Sequence, residues 1–166
     1  HGDDLILKRM KRRHLYRDVI NFVNEARRRR SDIVFGADFI AGFPTEDNNA
    51  HLQSMKLINE AGITYVHVFP YSDREGTAAT KMPKVLKEDI KQRSKELRLL
   101  GQKQCKNYLS TQIGTIQNVL TEKNGKGYTP NFSKIIFNED VNPGFIISAE
   151  IISSNSINLI GKPINN

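Results

Sequence analysis

Ile33-Val34-Phe35-Gly36-Ala37-Asp38-Phe39-Ile40-Ala41 is a nearly unbroken apolar run that leads into Gly42-Phe43-Pro44-Thr45-Glu46. Such a run suits a strand buried on both faces, as in a parallel sheet, and a strand of that kind expects neighbours on each side. Asp47 or Asn48 can cap a following helix whose inner face is Leu52, Met55 and Ile58. That helix stops at Ala61-Gly62, where Gly62 suits the left-handed C-terminal cap. Ile63-Thr64-Tyr65-Val66-His67-Val68-Phe69 is a second β-branched and aromatic run, broken by Pro70. Residues 33–69 therefore read strand–helix–strand, a right-handed crossover unit. His67 alternates with Val66 and Val68, so it faces the other way, as a satisfied core or pocket histidine.

Outward from this unit the pattern changes twice. Upstream, Leu15, Val19, Phe22, Val23 and Ala26 form a helical stripe within residues 14–30. Arg27 to Arg30 close that helix, where cations complement its dipole. Downstream, a polar connection from Ser72 to Pro83 precedes a long charged helix from Leu86 to Tyr108, with Leu86, Ile90, Leu97, Leu100 and Tyr108 along one side. After Ser110 the charge drops and β-branched residues rise. Turn signals at Asn124-Gly125, Gly127, Asn142-Pro143-Gly144 and Ser153-Ser154-Asn155 separate candidate strands at 115–122, 128–137, 145–152 and 157–160. Short strands at this spacing make a small antiparallel barrel or sandwich. The expected organisation is two domains, residues 1–109 and 110–166.

The 166 residues are 38% hydrophobic and 8% aromatic, enough to bury a core. The apolar runs are far shorter than the roughly 20 residues that a membrane-spanning helix needs. No leading charged-then-apolar pattern reads as a signal peptide, and the first residue is His rather than Met, so the chain reads as a piece of something longer. Its one cysteine, Cys105, cannot supply an internal disulfide, a zinc site or the ligand set of an iron–sulfur cluster. The net charge of +7 is unevenly spread: +6 over residues 1–30, −5 over 31–80, +6 over 81–110 and zero over 111–166. Two basic blocks flanking an acidic middle suggest a polyanionic partner.

Searches for chemistry mostly fail. The chain has no phosphate-cradling loop, no nucleophile elbow and no His-Glu-x-x-His, and its four histidines, His1, His14, His51 and His67, lack metal-ligand spacing. One place stands out. Gly42-Phe43-Pro44-Thr45-Glu46 ends the first buried strand, and Phe69-Pro70-Tyr71-Ser72 ends the second on the same rim. In parallel α/β sheets, ligands collect at strand carboxyl ends because loops and helix N-termini converge there. Gly42 lets backbone approach a ligand, and Glu46 can cap the helix or bind a cation.

Three motifs stand in order: Asp4-x-x-Leu7-Lys8-x-Met10-x-Arg12-Arg13, then Asp38 through Glu46, then His67-Val68-Phe69-Pro70-Tyr71-Ser72-Asp73-Arg74-Glu75-Gly76-Thr77-Ala78-Ala79. This series resembles the radical-SAM tRNA methylthiotransferases, and its last stretch most resembles the branch acting on threonylcarbamoyladenosine. The tail from Gly127-Tyr128-Thr129-Pro130-Asn131-Phe132 looks like that family's TRAM domain, a small RNA-binding β-barrel. The fold implied is α/β: the second half of a partial (β/α) radical-SAM barrel, then a small all-β, OB-like TRAM barrel. The resemblance implies S-adenosylmethionine and [4Fe-4S] clusters as cofactors of the full-length family, tRNA as partner and a cytoplasmic location. A cluster-binding N-terminal domain and a Cys-x-x-x-Cys-x-x-Cys loop are expected in a missing N-terminal part of the parent enzyme. This chain alone is expected to hold no metal or cluster, to contain no catalytic residue and to be inactive. By the same resemblance, Ile40, Gly42, Phe43, Glu46, Phe69 and Tyr71 fall on the cofactor side. Thr45 departs from the family's usual Gly, Asp73 from a common Pro and His14 from a common Tyr. Arg12, Arg13, Lys103 and Lys106 in the basic blocks are candidates for RNA contact, as are Lys126, Tyr128, Asn131, Phe132 and Lys134 in the tail. Alternatives are a non-catalytic RNA-binding remnant, or a methylthiotransferase fragment acting on isopentenyladenosine or a ribosomal protein.

Overall fold

In the computed structural model, which describes residues 1–164, the chain runs α1 (Asp4–Arg9), α2 (Tyr16–Arg29), β1 (Gly36–Ala41), α3 (Asn48–Glu60), β2 (Tyr65–Pro70) and α4 (Lys87–Thr111). Five strands follow: β3 (Ile116–Glu122), β4 (Lys126–Tyr128), β5 (Lys134–Phe137), β6 (Ile146–Ser154) and β7 (Leu159–Pro163). Two compact units divide the chain, His1–Gln104 and the part beginning at Cys105. The sequence texture changes at 110, yet the second unit begins earlier because Leu109, near the end of α4, is part of its core. No helix among the described residues is long and apolar enough to cross a membrane.

In the first unit, β1 and β2 pair in parallel, Gly36 opposite Tyr65 through Ala41 opposite Pro70. Side chains alternate across a strand, and the helices cover one face. Phe39 and Ala41 are buried there with Val23, Leu57, Ile58, Ile63 and Leu97, and with Ala37, Val66 and Val68 partly buried against them. Asp38 and Ile40, with their register partners His67 and Phe69, occupy the opposite face, and Asp38, His67 and Phe69 are exposed. The expectation of burial on both faces is thus corrected to one face. His67 is accordingly no core histidine.

Helix ends follow their caps. Asp3 accepts the Ile6 N–H at 2.9 Å and starts α1, a six-residue helix too short to show a period. Asp47 accepts the Ala50 N–H at 2.8 Å and starts α3, and Gly62, at φ 57°, follows its end. Three residues expected on apolar helix faces are exposed instead: Leu52 on α3, Phe22 on α2 and Leu86, which precedes α4. The buried face of α3 is Ala50, His51, Ser54, Leu57 and Ile58.

The second unit is a closed barrel with strand order β3-β4-β5-β7-β6, sealed by the antiparallel β3–β6 pair. One pair, β5 with β7, is parallel. Thr129 to Ser133 interrupt the expected strand at 128–137, where Pro130 has no N–H for a ladder. Leu109, Val119, Ile135, Phe137, Ala149, Ile151 and Leu159 fill the interior. At Gly127 a Cβ would fall 2.6 Å from Val119 Cγ1, so the packing there demands glycine.

Candidate cofactor cleft and nucleic-acid face

The Gly42–Glu46 turn is built around a buried carboxylate. Gly42 takes φ 75°, and a Cβ there would lie 2.4 Å from Ile90 Cγ1, so neither the conformation nor the space admits a side chain. Its N–H donates to Glu46 Oε2 at 3.0 Å. Arg93, on α4, donates from Nη1 to Glu46 Oε1 at 3.1 Å and to the Glu46 carbonyl at 2.9 Å, and His1 Nε2 sits 3.0 Å from Oε2. Burial pushes the Glu46 carboxyl up, but His1, Arg93 and the Gly42 N–H outweigh it and hold the group below the usual carboxylate range. Its role at this turn is to brace the loop.

Thr45 also adopts a left-handed conformation, φ 71°, which costs a β-branched residue more than glycine. Its N–H donates to the Pro83 carbonyl at 2.9 Å and its Oγ1 accepts from Arg9 Nη1 at 2.6 Å. Next to it, Phe43 meets Tyr71 edge to face at 5.4 Å between centroids. The Tyr71 hydroxyl donates to Asp73 Oδ1 at 2.9 Å, and Lys84 pairs with that same carboxylate while lying over the Tyr71 ring. Asp73 thus fixes an aromatic ring.

These pieces line a cleft of about 290 Å³ between the end of α1 and the segment after β2. Ile40, Phe43 and Tyr71 form part of its wall, as do Arg12, Arg9 and Arg74. Three of the six residues expected on the cofactor side therefore converge, together with one expected to touch RNA. Gly42 and Glu46 support the wall without lining it. Phe69 lies on the open sheet face beside Ile40, 52% exposed, outside the cleft. The size and the apolar floor fit a nucleoside-sized group such as the adenosyl part of S-adenosylmethionine. An iron–sulfur cluster does not fit the residues present. Cys105 is half-buried, its thiol pushed up by burial, and no three His, Cys, Asp or Glu side chains gather among the described residues.

On the barrel, the tail residues named from sequence share one region. Tyr128 pairs with Lys134 on β5 and with Leu120 on β3, and Leu120 pairs in turn with Ile146 on β6. These register partners share a face, and Lys126, two residues from Tyr128, lies on it too. Phe132 stands 81% exposed in the β4–β5 turn at φ 59°, with Asn131 half-buried beside it. Sequence reasoning overlooked Leu120 and Ile146, which are exposed apolar residues. The missed signal was the alternation of Leu120 with buried Val119 and Thr121. In the first unit, Arg13 is exposed outside the cleft and Lys103 is exposed on α4; Lys106 is exposed where that helix has entered the second unit.

The chain thus joins in sequence a parallel crossover sheet, with a cleft at its strand ends, and a small closed barrel. Comparison with characterised proteins narrows this. The threonylcarbamoyladenosine tRNA methylthiotransferase of Rickettsia prowazekii is 45% identical over 151 residues, 91% of this chain and 36% of that protein. The tRNA-2-methylthio-N(6)-dimethylallyladenosine synthase of Bartonella bacilliformis is 32% identical over 99% of this chain and 37% of its own length. The protein of that same name from Ehrlichia chaffeensis is 38% identical over 75% of this chain and 29% of its own length. No family model matches the chain. The chain belongs to the tRNA methylthiotransferase family, and it spans about a third of the length of the relatives it matches.

Proposed function

We propose that this chain is the C-terminal part of an enzyme that adds a methylthio group to C2 of N6-threonylcarbamoyladenosine beside the tRNA anticodon. The 45% identity to the Rickettsia protein across 91% of the chain carries this reading. In it, Ile40, Phe43 and Tyr71 hold the adenosyl group of S-adenosylmethionine, while Gly42 and Glu46 set the turn that positions them. Bound there, S-adenosylmethionine would supply radical chemistry. The residues here bind, orient and exclude water.

RNA binding is assigned to two surfaces. Lys126, Tyr128, Phe132 and Lys134 on the barrel combine cations with rings, a pairing suited to phosphates and unstacked bases. Arg12, Arg13, Lys103 and Lys106 supply longer-range attraction. The test is anisotropy with a labelled anticodon stem-loop carrying threonylcarbamoyladenosine. Salt-dependent binding that weakens on mutation of either set supports the reading. Unchanged binding by a variant lacking both sets overturns it.

A further inference from the structure

The cleft holds more positive charge than its own fold uses. Arg9 is tied to Thr45. Lys11, Arg12 and Arg74 also line the cleft, and among the described residues their side chains have no hydrogen-bond or ion-pair partner. The nearest acid in sequence on one side, Asp73, is already held by Lys84 and the Tyr71 hydroxyl, and Glu75 is exposed and outside the lining. The backbone delivers these cations. The Lys11 N–H donates to the Lys8 carbonyl at 3.0 Å and the Arg12 N–H to the Leu7 carbonyl at 2.9 Å, which closes α1 with Lys11 at φ 60°. These two bonds are the common cap with which a helix ends on a left-handed residue, and the cap carries Lys11 and Arg12 to the cleft.

The floor beneath them is apolar and aromatic: Ile40, Phe43 and Tyr71. A phosphate backbone alone needs cations but no concave aromatic floor. With the adenosyl group of S-adenosylmethionine on that floor, the cations at the rim are left to meet a carboxylate on the purine that enters beside it. The two names among the relatives differ in this property, since a threonylcarbamoyl group ends in a carboxylate and a dimethylallyl group is a hydrocarbon.

We propose that Lys11, Arg12 and Arg74 form a carboxylate-reading wall that selects an adenosine whose N6 substituent is acidic over one whose substituent is a hydrocarbon. This rests on the proposed tRNA-modifying role and assigns substrate choice to three residues. Guanidinium groups bind carboxylates through paired, charge-assisted hydrogen bonds, and such a site rejects an analogue that leaves those donors unpaired.

The experiment uses the full chain, ¹⁵N-labelled, with the arginine Nε–H and cleft amide signals followed by NMR. The probes are N6-threonylcarbamoyladenosine, its methyl ester, N6-dimethylallyladenosine, S-adenosylmethionine and an unmodified anticodon stem-loop. The acidic nucleoside is expected to shift the Arg12 and Arg74 signals, and the ester and the dimethylallyl nucleoside to bind roughly tenfold or more weakly. Arg74→Gln and Lys11→Gln, both at exposed positions, should remove that preference while leaving the amide spectrum folded. Equal binding of acid and ester overturns the proposal. Arginine shifts as large with S-adenosylmethionine overturn it in favour of the methionyl carboxylate, and shifts as large with the unmodified stem-loop overturn it in favour of phosphate. A stem-loop that binds without nucleoside preference removes this inference and leaves the family role intact; loss of all stem-loop binding removes both.

Discussion

The two units present their candidate surfaces by opposite means. Residues 1–104 carry net +6 and hollow out a cleft whose rim is cationic and whose supports are buried ion pairs. From Cys105 onward the net charge is +1, and the candidate surface is made of exposed apolar and aromatic residues on outward strand positions and in the β4–β5 turn. Each unit also holds non-glycine residues in the left-handed region, and they are treated differently. Thr45 is tied into the structure through Arg9 and Pro83, whereas Phe132 has its backbone pinned by Thr129 and its ring left in solvent. Polar bonding offsets the strain at Thr45. At Phe132 the backbone bond holds the turn and leaves the ring available.

The largest effect expected from breaking this contrast is at the buried ion pair. Arg93→Met leaves the buried Glu46 carboxylate without its guanidinium partner, a change worth about 3–5 kcal/mol in the first unit. Hydrogen exchange of the β1 and α3 amides under denaturant measures it. The barrel counterpart, Ile135→Ala, removes a fully buried side chain and should cost about 2–5 kcal/mol, read from the β3 and β6 amides.

Charge against rings is the next comparison. Reversing Arg12, Arg13, Lys103 and Lys106 to Glu should weaken stem-loop binding more than changing Tyr128 and Phe132 to Ala. The charged variant should also flatten the salt dependence, because counterion release sets its slope. The aromatic variant should lose about 1–3 kcal/mol per stacked base with little change in slope. Titration at two salt concentrations separates them. A larger loss from the aromatic pair moves the affinity to the barrel.

Acid provides a smaller, directional test. Glu46 sits below the ordinary carboxylate range in the folded chain, so its contribution is complete above that range and fades as pH falls through its lowered value. Glu46→Gln should therefore be less stable than the parent at neutral pH, and the gap should narrow in acid. Melting curves at neutral and acidic pH read the difference; a gap that widens in acid contradicts it. Smallest of all is Thr45→Gly, which relieves backbone strain of about 1 kcal/mol but gives up the Arg9 bond. Thr45→Ala loses the bond without the relief, so glycine should be the more stable of the two variants in thermal melts.

The crossover unit was legible because two apolar runs flank a capped amphipathic stretch, a purely local signal. That only one face of β1 is covered was not legible, since the run Ile33–Ala41 looks the same whichever elements pack on it. Gly42 could be read as a close approach, but not that Ile90 is what approaches. The partners of Glu46 lie 45 and 47 residues away in His1 and Arg93, beyond any local pattern. Helix α1 escaped because six residues span under two turns, leaving Asp3 as its one mark. The barrel's strands were visible as alternation between turns. Its closure depends on the parallel pairing of β5 with β7, a partnership between segments more than twenty positions apart.

That pairing also sets an order of events in time. β7 is the last strand the structure describes, and it is hydrogen-bonded on both sides, to β5 and to β6. While a ribosome is still making residues 116–158, β3, β4 and β6 can zip as neighbours, but β5 and β6 each keep a bare edge. An open edge of this kind is where unwanted pairing with another chain begins. Glu150 and Lys162 face one another across the final β6–β7 pair, and Gly161 lets that last strand close against Ile135. The barrel is therefore exposed to misassembly until Leu159–Pro163 has left the exit tunnel, and a nascent chain stalled just before it presents two templates for aggregation at once.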